Sequence, residues 1–140
     1  MAIFPQRFAD RILGAAIHVH RQLGPGFLEK MHENALCLEF TKRRLPLTRQ
    51  VPVRVSYDGS EIGMHRLAVI VDGCVVVEIK AVKDTEDVHL ATVLSYLKAT
   101  SLEAGLILNY AAAKLRIRRV VRTANWTAEA RSGGKRRGRV

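Results

Sequence analysis

Along residues 7–22 the apolar side chains Phe8, Ile12, Ala15 and Val19 fall at i, i+4, i+7 and i+11, with Leu23 following. That spacing predicts a helix with one apolar face. Gly24-Pro25-Gly26 ends it and turns the chain. A second helix is predicted from about Leu28 to Arg43, with Leu28, Met31, Ala35 and Leu38 as its apolar stripe, flanked by Leu36 and Phe40. Glu29 and Glu33 lie in its early turns, where the helix dipole favours acids. Pro46 closes the helical region.

The period then changes from 3.6 to 2. Val51, Val53, Val55 and Tyr57 alternate with Pro52, Arg54 and Ser56, which predicts a half-buried strand. Asp58-Gly59 is a hairpin turn signal. The next strand is predicted from about Ile62 to Val71, with Gly63 at a bulge or bend. After a second Asp-Gly signal at Asp72-Gly73, the β-branched run Val75 to Ile79 reads as a central strand buried on both faces. Residues 87–100 return to helical spacing, with Leu90, Val93, Leu94 and Leu97 on one face. Gly105 to Tyr110 and Leu115 to Val121 read as two further strands. The expected fold class is α+β (mixed α/β), in the order α-α-β-β-β-α-β-β around one sheet.

Charge changes this picture at one end of the chain. The 140 residues carry 23 Lys and Arg against 13 Asp and Glu, a net charge of +10. Ten of the basic residues lie in 114–140, against the single acid Glu129; residues 1–113 hold 13 basic and 12 acidic groups. A near-neutral domain with a basic end is therefore expected, with one domain over residues 1–126 and a flexible basic tail over 127–140. A uniformly basic chain of the histone type is excluded, and 48% hydrophobic residues argue against a disordered chain. Apolar runs such as Cys74 to Val77 fall far short of the roughly 20 residues of a membrane-spanning helix. Cys37 and Cys74 sit in apolar contexts without a CxxC spacing and read as reduced thiols of a cytoplasmic protein.

Three features carry candidate chemistry. Glu78 and Lys80 end the apolar strand two residues apart, so they share a face. Glu29 opens the second helix just after the Gly-Pro-Gly turn. The hairpin before Glu78 supplies the third: a three-residue loop of Asp72, Gly73 and Cys74 sets position 68 opposite Glu78, whereas a two-residue loop sets Leu67 there. Metal-dependent phosphodiester cleavage needs two or more carboxylates for Mg²⁺ and a cation near the attacking water or the scissile phosphate. Position 68 is where a second strand carboxylate would come from, and it is Ala68. Asp72 lies about 13 Å away by strand rise, too far to replace it.

The stretch Gly26-Phe27-Leu28-Glu29-Lys30-Met31-His32, preceded by AAIHVHRQLGP, is similar to the signature of the GxxExxY protein family. The similarity continues through RQVPVRVSYDG, HRLAVIVDGCVVVEIKAV and VHLATVLSYLKATSLEAGLILNY, about residues 8–122 in all. The resemblance implies a restriction-endonuclease-like PD-(D/E)XK core with a central mixed sheet flanked by helices. It implies Glu78 as metal-binding acid and Lys80 as the lysine that orients the water and offsets phosphate charge. It implies Glu29 as the helix glutamate completing a site for Mg²⁺. The departures are His32 for the motif tyrosine, Ala68 for the strand aspartate and Thr92 for a glutamine of the following helix. His32 and His89 are auxiliary candidates at this site.

The resulting expectation is a nuclease-fold protein that binds nucleic acid, DNA more than RNA, with Glu29, Glu78 and Lys80 as an incomplete metal site. Arg116, Arg118, Arg119 and Arg122 on a predicted strand, with Lys135, Arg136, Arg137 and Arg139 in the tail, are the expected phosphate contacts. Trp126 reads as a packing residue that closes the domain. Two alternatives compete: a working Mg²⁺-dependent nuclease that manages without the aspartate, and a non-catalytic protein-assembly subunit. An exposed strand edge would also allow self-association.

Overall fold

The computed structural model describes residues 5–122 of the chain. Trp126 and the basic residues of the expected tail, Lys135 to Arg139, lie outside the described residues. Helices α1 (Gln6–Leu23) and α2 (Glu29–Lys42) come first. Strands β1 (Leu47–Tyr57), β2 (Ser60–Val71) and β3 (Val75–Lys80) follow, then helix α3 (Asp87–Thr100) and strands β4 (Ala104–Asn109) and β5 (Arg116–Val121). The predicted order holds throughout, with β1 beginning earlier than its alternation suggested. Gly24 stops α1 with φ 74°, a left-handed value natural to glycine, and its N–H donates to the His20 carbonyl.

The sheet order is β1-β2-β3-β4-β5. Its first three strands are joined by antiparallel hairpins, β3 and β4 are parallel, and β5 returns antiparallel. Parallel neighbours need a crossover, and α3 supplies it. Both Asp-Gly pairs turn with positive φ, at 52° and 81° for Asp58 and Gly59 and at 53° and 66° for Asp72 and Gly73. In the second hairpin Val71 pairs with Val75, so the loop is the three-residue form Asp72-Gly73-Cys74. The bulge of the first hairpin leaves Ile62 unpaired beside Gly63, next to the position read from the sequence.

Helices pack on both faces of this sheet. One core joins Ile12, Ala16 and Val19 of α1 and Leu36 and Phe40 of α2 to Val75, Val77, Leu106 and Leu108. The other joins Leu90, Val93, Leu94 and Leu97 of α3 to Val76, Ile107 and Val120. β3 is buried on both faces, as its β-branched run predicts. Gly105 gives α3 its close approach, since a Cβ there would lie 3.0 Å from a Val93 methyl and 3.4 Å from the Val76 carbonyl oxygen.

Two expectations are corrected. The stripe assigned to α2 is not its buried face. Leu28 and Leu38 are 68% and 69% exposed and Met31 is also exposed, while His32, Glu33, Leu36, Cys37 and Phe40 are buried. Apolar side chains ring this helix almost evenly, so contact with α1 and β3 decides which of them are covered. The plain alternation of β1 also breaks. Leu47 packs with the first core but Val51 and Val53 with the second, although all three have the same parity. On β2, Val69 and Leu67 divide in the same way. Both strands turn over at Gln50, whose φ is +52°, beside Ala68.

The orientation of α2 is checked by chemical denaturation. Leu36→Ala should cost about 2–5 kcal/mol, whereas Leu38→Ala, which removes an exposed side chain, should change stability by less than about 0.5 kcal/mol. Equal losses would mean that the stripe read from the sequence is the buried one after all.

Candidate functional site

Register brings the candidate residues together. β2 pairs with β3 from Val71–Val75 to Val69–Val77 and no further. Continued one step past the last pair, that register would set Ala68 across from Glu78, but the ladder ends first and Ala68 packs with the first core. Glu78 and Lys80 project from the end of β3, on the face opposite Val77 and Ile79. Glu78 Oε2 lies 3.1 Å from Lys80 Nζ, with the two side chains only 13% and 23% exposed. Glu29, in the first turn of α2, reaches the same place: its Oε2 accepts the Ala81 N–H at 2.8 Å, just past the strand end. So Glu29, from a distant part of the chain, comes close enough to the Glu78–Lys80 pair to act on both electrostatically.

Electrostatics there follow from burial and from too many acids. Burial pushes the Glu78 carboxyl above its ordinary value; Lys80 opposes the shift by charge and hydrogen bond, and Glu29 and Glu33 add to it. For Lys80, burial acts to lower the ammonium, but Glu78, Glu29 and Tyr96 outweigh it and hold the pKa above the ordinary lysine value. Lys80 is therefore charged and committed to Glu78.

Two neighbours, Glu33 and Tyr96, were not read from the sequence as part of this site. Glu33 read as a helix-dipole acid, yet it is 6% exposed and tied to β1. Its Oε2 accepts from Arg49 at 2.8 Å and from Gln50 Nε2 at 3.3 Å. Tyr96 interacts with both Glu78 and Lys80. It lies one turn beyond Thr92, so α3 presents a phenol on the face where the resemblance placed a glutamine. Helical spacing from Thr92 was the signal that could have found it.

His32 and His89 lie in other surroundings. His32 is fully buried and stacked on Tyr110, with centroids 4.2 Å apart and planes 11° from parallel. Neither of its ring nitrogens has a hydrogen-bond partner among the described residues. His89 closes a capping box at the start of α3, its Nδ1 accepting the Glu86 N–H at 2.9 Å. Strand alternation divides the basic residues of β5. Arg116 and Arg118 share the parity of Val120, on the α3 side, while Arg119 shares that of Ile117, on the other. Arg116 is held by Asp84 at 3.3 Å, and Arg122 Nε donates to the Leu102 carbonyl at 3.1 Å.

Two carboxylates, Glu29 and Glu78, would hold a divalent cation here, and each already has one partner on Oε2. Glu78 is engaged by Lys80, Glu29 by the Ala81 N–H, and Ala68 offers no oxygen. Among the described residues no cluster of three or more His, Cys, Asp or Glu side chains is placed to hold a metal. A hard cation would have two partly occupied carboxylates and no strand ligand between them.

His32 makes its own pH signature. Burial, and then the nearby His20, lower its pKa below the ordinary 6.5. The unfolded chain therefore takes up the proton first, and stability is lost as pH falls below about 6.5 toward the folded value. His32→Phe, which keeps a flat ring against Tyr110, should flatten the decline in Tm between pH 7 and 5; an unchanged slope would exclude His32 as its source.

Comparison with known families agrees with this geometry. The family model for the PD-(D/E)XK nuclease superfamily matches residues 6–120, from the start of α1 to the end of β5. No curated protein and no solved structure matches the chain. Among the described residues no helix is long and apolar enough to cross a membrane. A mixed five-stranded sheet between helices, an acid and a lysine two residues apart at the end of its central strand, and a match over most of its length place this chain in the PD-(D/E)XK nuclease superfamily.

Proposed function

We propose that this protein binds nucleic acid, DNA in preference to RNA, through a nuclease scaffold whose metal site is incomplete and does not cleave. One observation carries the reading. Glu78 and Lys80 pair with each other at the end of β3, and Ala68, the next residue of β2 past its last pair with β3, offers no second strand carboxylate in support of a metal. Without that oxygen, Lys80 has Glu78 as its nearest partner and neutralises it. What remains is a lysine held beside two carboxylates, without the ligand set that metal-assisted ester cleavage uses. Arg118 and Arg119 on β5, with Arg122 beyond it, supply positive charge along the sheet edge, and the basic residues after them extend it in sequence.

A cleavage assay on end-labelled DNA and RNA in Mg²⁺ or Mn²⁺ tests the site. The natural chain is expected to leave both intact at concentrations that saturate binding. Ala68→Asp should gain a rise in Tm on adding Mn²⁺, and with it slow cleavage that Glu78→Ala abolishes. Cleavage by the natural chain that is lost in both Glu78→Ala and Lys80→Ala would overturn the proposal in favour of a working nuclease.

Binding is tested by salt titration on duplex DNA. Each phosphate contact contributes about −0.9 to the log–log slope, so six contacts give roughly −5. Replacing Arg118 and Arg119 together by Ala should make the slope shallower by about two. A chain that shows no DNA binding at low salt, with or without residues 131–140, would point to a protein-assembly role instead.

A further inference from the structure

A concave site lies on the face of the sheet opposite Glu78 and Lys80. It is a cavity of about 290 Å³ between the last turns of α1 and the loop entering β5, walled by Ile17, Leu115 and Ile117 and floored by His20, with Arg21 and Lys114 at its mouth. No acid lines it. Among the described residues neither Arg21 nor Lys114 has a hydrogen-bond or ion-pair partner. Several other basic residues are paired, Arg43 with Glu39, Arg49 with Glu33 and Arg116 with Asp84.

The floor is rigid. His20 is 5% exposed and its Nε2 lies 2.7 Å from the Ala112 carbonyl oxygen. A carbonyl only accepts, so Nε2 carries the proton and the bond sets both tautomer and ring plane. Tyr110 packs edge-on against the same ring at 5.2 Å. Tyr110 also donates its N–H to the Lys80 carbonyl at 2.8 Å, so the loop framing the cavity begins at the residue that closes the candidate site.

We infer that this cavity receives one unstacked base of a bound single strand, with the flanking phosphates on Arg21 and Lys114. The inference rests on the nucleic-acid reading above and names the form of substrate. Apolar walls over a fixed ring suit a planar base, and 290 Å³ lies at the low end of ligand pockets, enough for one ring system. Two unpaired cations with no competing acid match the phosphates on either side in sign and number. An extruded or single-stranded base is the one nucleic-acid component that combines a flat apolar body with anionic flanks.

The test uses fluorescence anisotropy with the full chain, a single-stranded 12-mer and an abasic strand of the same length. The natural chain should bind the intact strand about tenfold more tightly than the abasic one. Ala113→Trp, an exposed position on the cavity rim, should erase that preference and leave abasic binding within about twofold. Arg21→Ala with Lys114→Ala should weaken both strands and make the salt slope shallower by about 1.4, near 0.7 for each phosphate of a single strand. Equal binding of intact and abasic strands, or a preference that survives Ala113→Trp, overturns the base site while nucleic-acid binding stands. Failure of the natural chain to bind either strand overturns both.

Discussion

Burial of β3 from both sides organises this molecule. Val75, Val76 and Val77 are almost wholly removed from water, each contributing about 1.5–3 kcal/mol of apolar burial. Covering two faces requires helices on two sides, α1 and α2 on one and α3 on the other. Because α3 is also the crossover to β4, the same demand makes β3 and β4 parallel and places their C-terminal ends together. The chain leaving β3 is then held by three anchors. Glu29 accepts from Ala81, the Tyr110 N–H donates to Lys80, and the Asn109 amide bonds both backbone groups of Val82. Glu78 and Lys80 stand where strand burial ends, with little freedom to move.

That position sets the chemistry. A carboxylate at the edge of an apolar core is costly to charge, and further acids nearby raise the cost. A resident cation normally offsets such a cluster. Here the offsetting charges belong to the chain, Lys80 against Glu78 and Arg49 against Glu33. With Ala68 in place of a further acid, the cluster balances without a metal.

Much of this was legible in the residues because it rests on local rules. The period switch near Pro46, the two Asp-Gly turns and the β-branched run of β3 each act over a few residues, and the eight elements follow from them. The pairing of Glu78 with Lys80 was legible as well, since strand alternation alone puts them on one face. Glu29 was found through the family resemblance of its surroundings rather than through any local rule. The face of α2 was not legible, because its apolar residues lie all round the helix and only its neighbours choose among them. Nor was the role of Glu33, whose partners Arg49 and Gln50 come from the far side of a turn.

The basic end was visible in the composition, as a surplus confined to the last 27 residues. Charge is a property of side chains and needs no fold to be counted. Where that charge acts is a matter of tertiary structure. Strand alternation sends Arg118 and Arg119 to opposite faces, and Asp84 holds Arg116. The sequence by itself determined the elements, the acid–lysine pair and the missing carboxylate, each a matter of residue type and short spacing. Tertiary structure alone decided that Glu29 reaches the Ala81 N–H at the end of β3, that Gln50 turns two strands over and that His32 is stacked in the interior, because each depends on contacts between segments that chain distance does not encode.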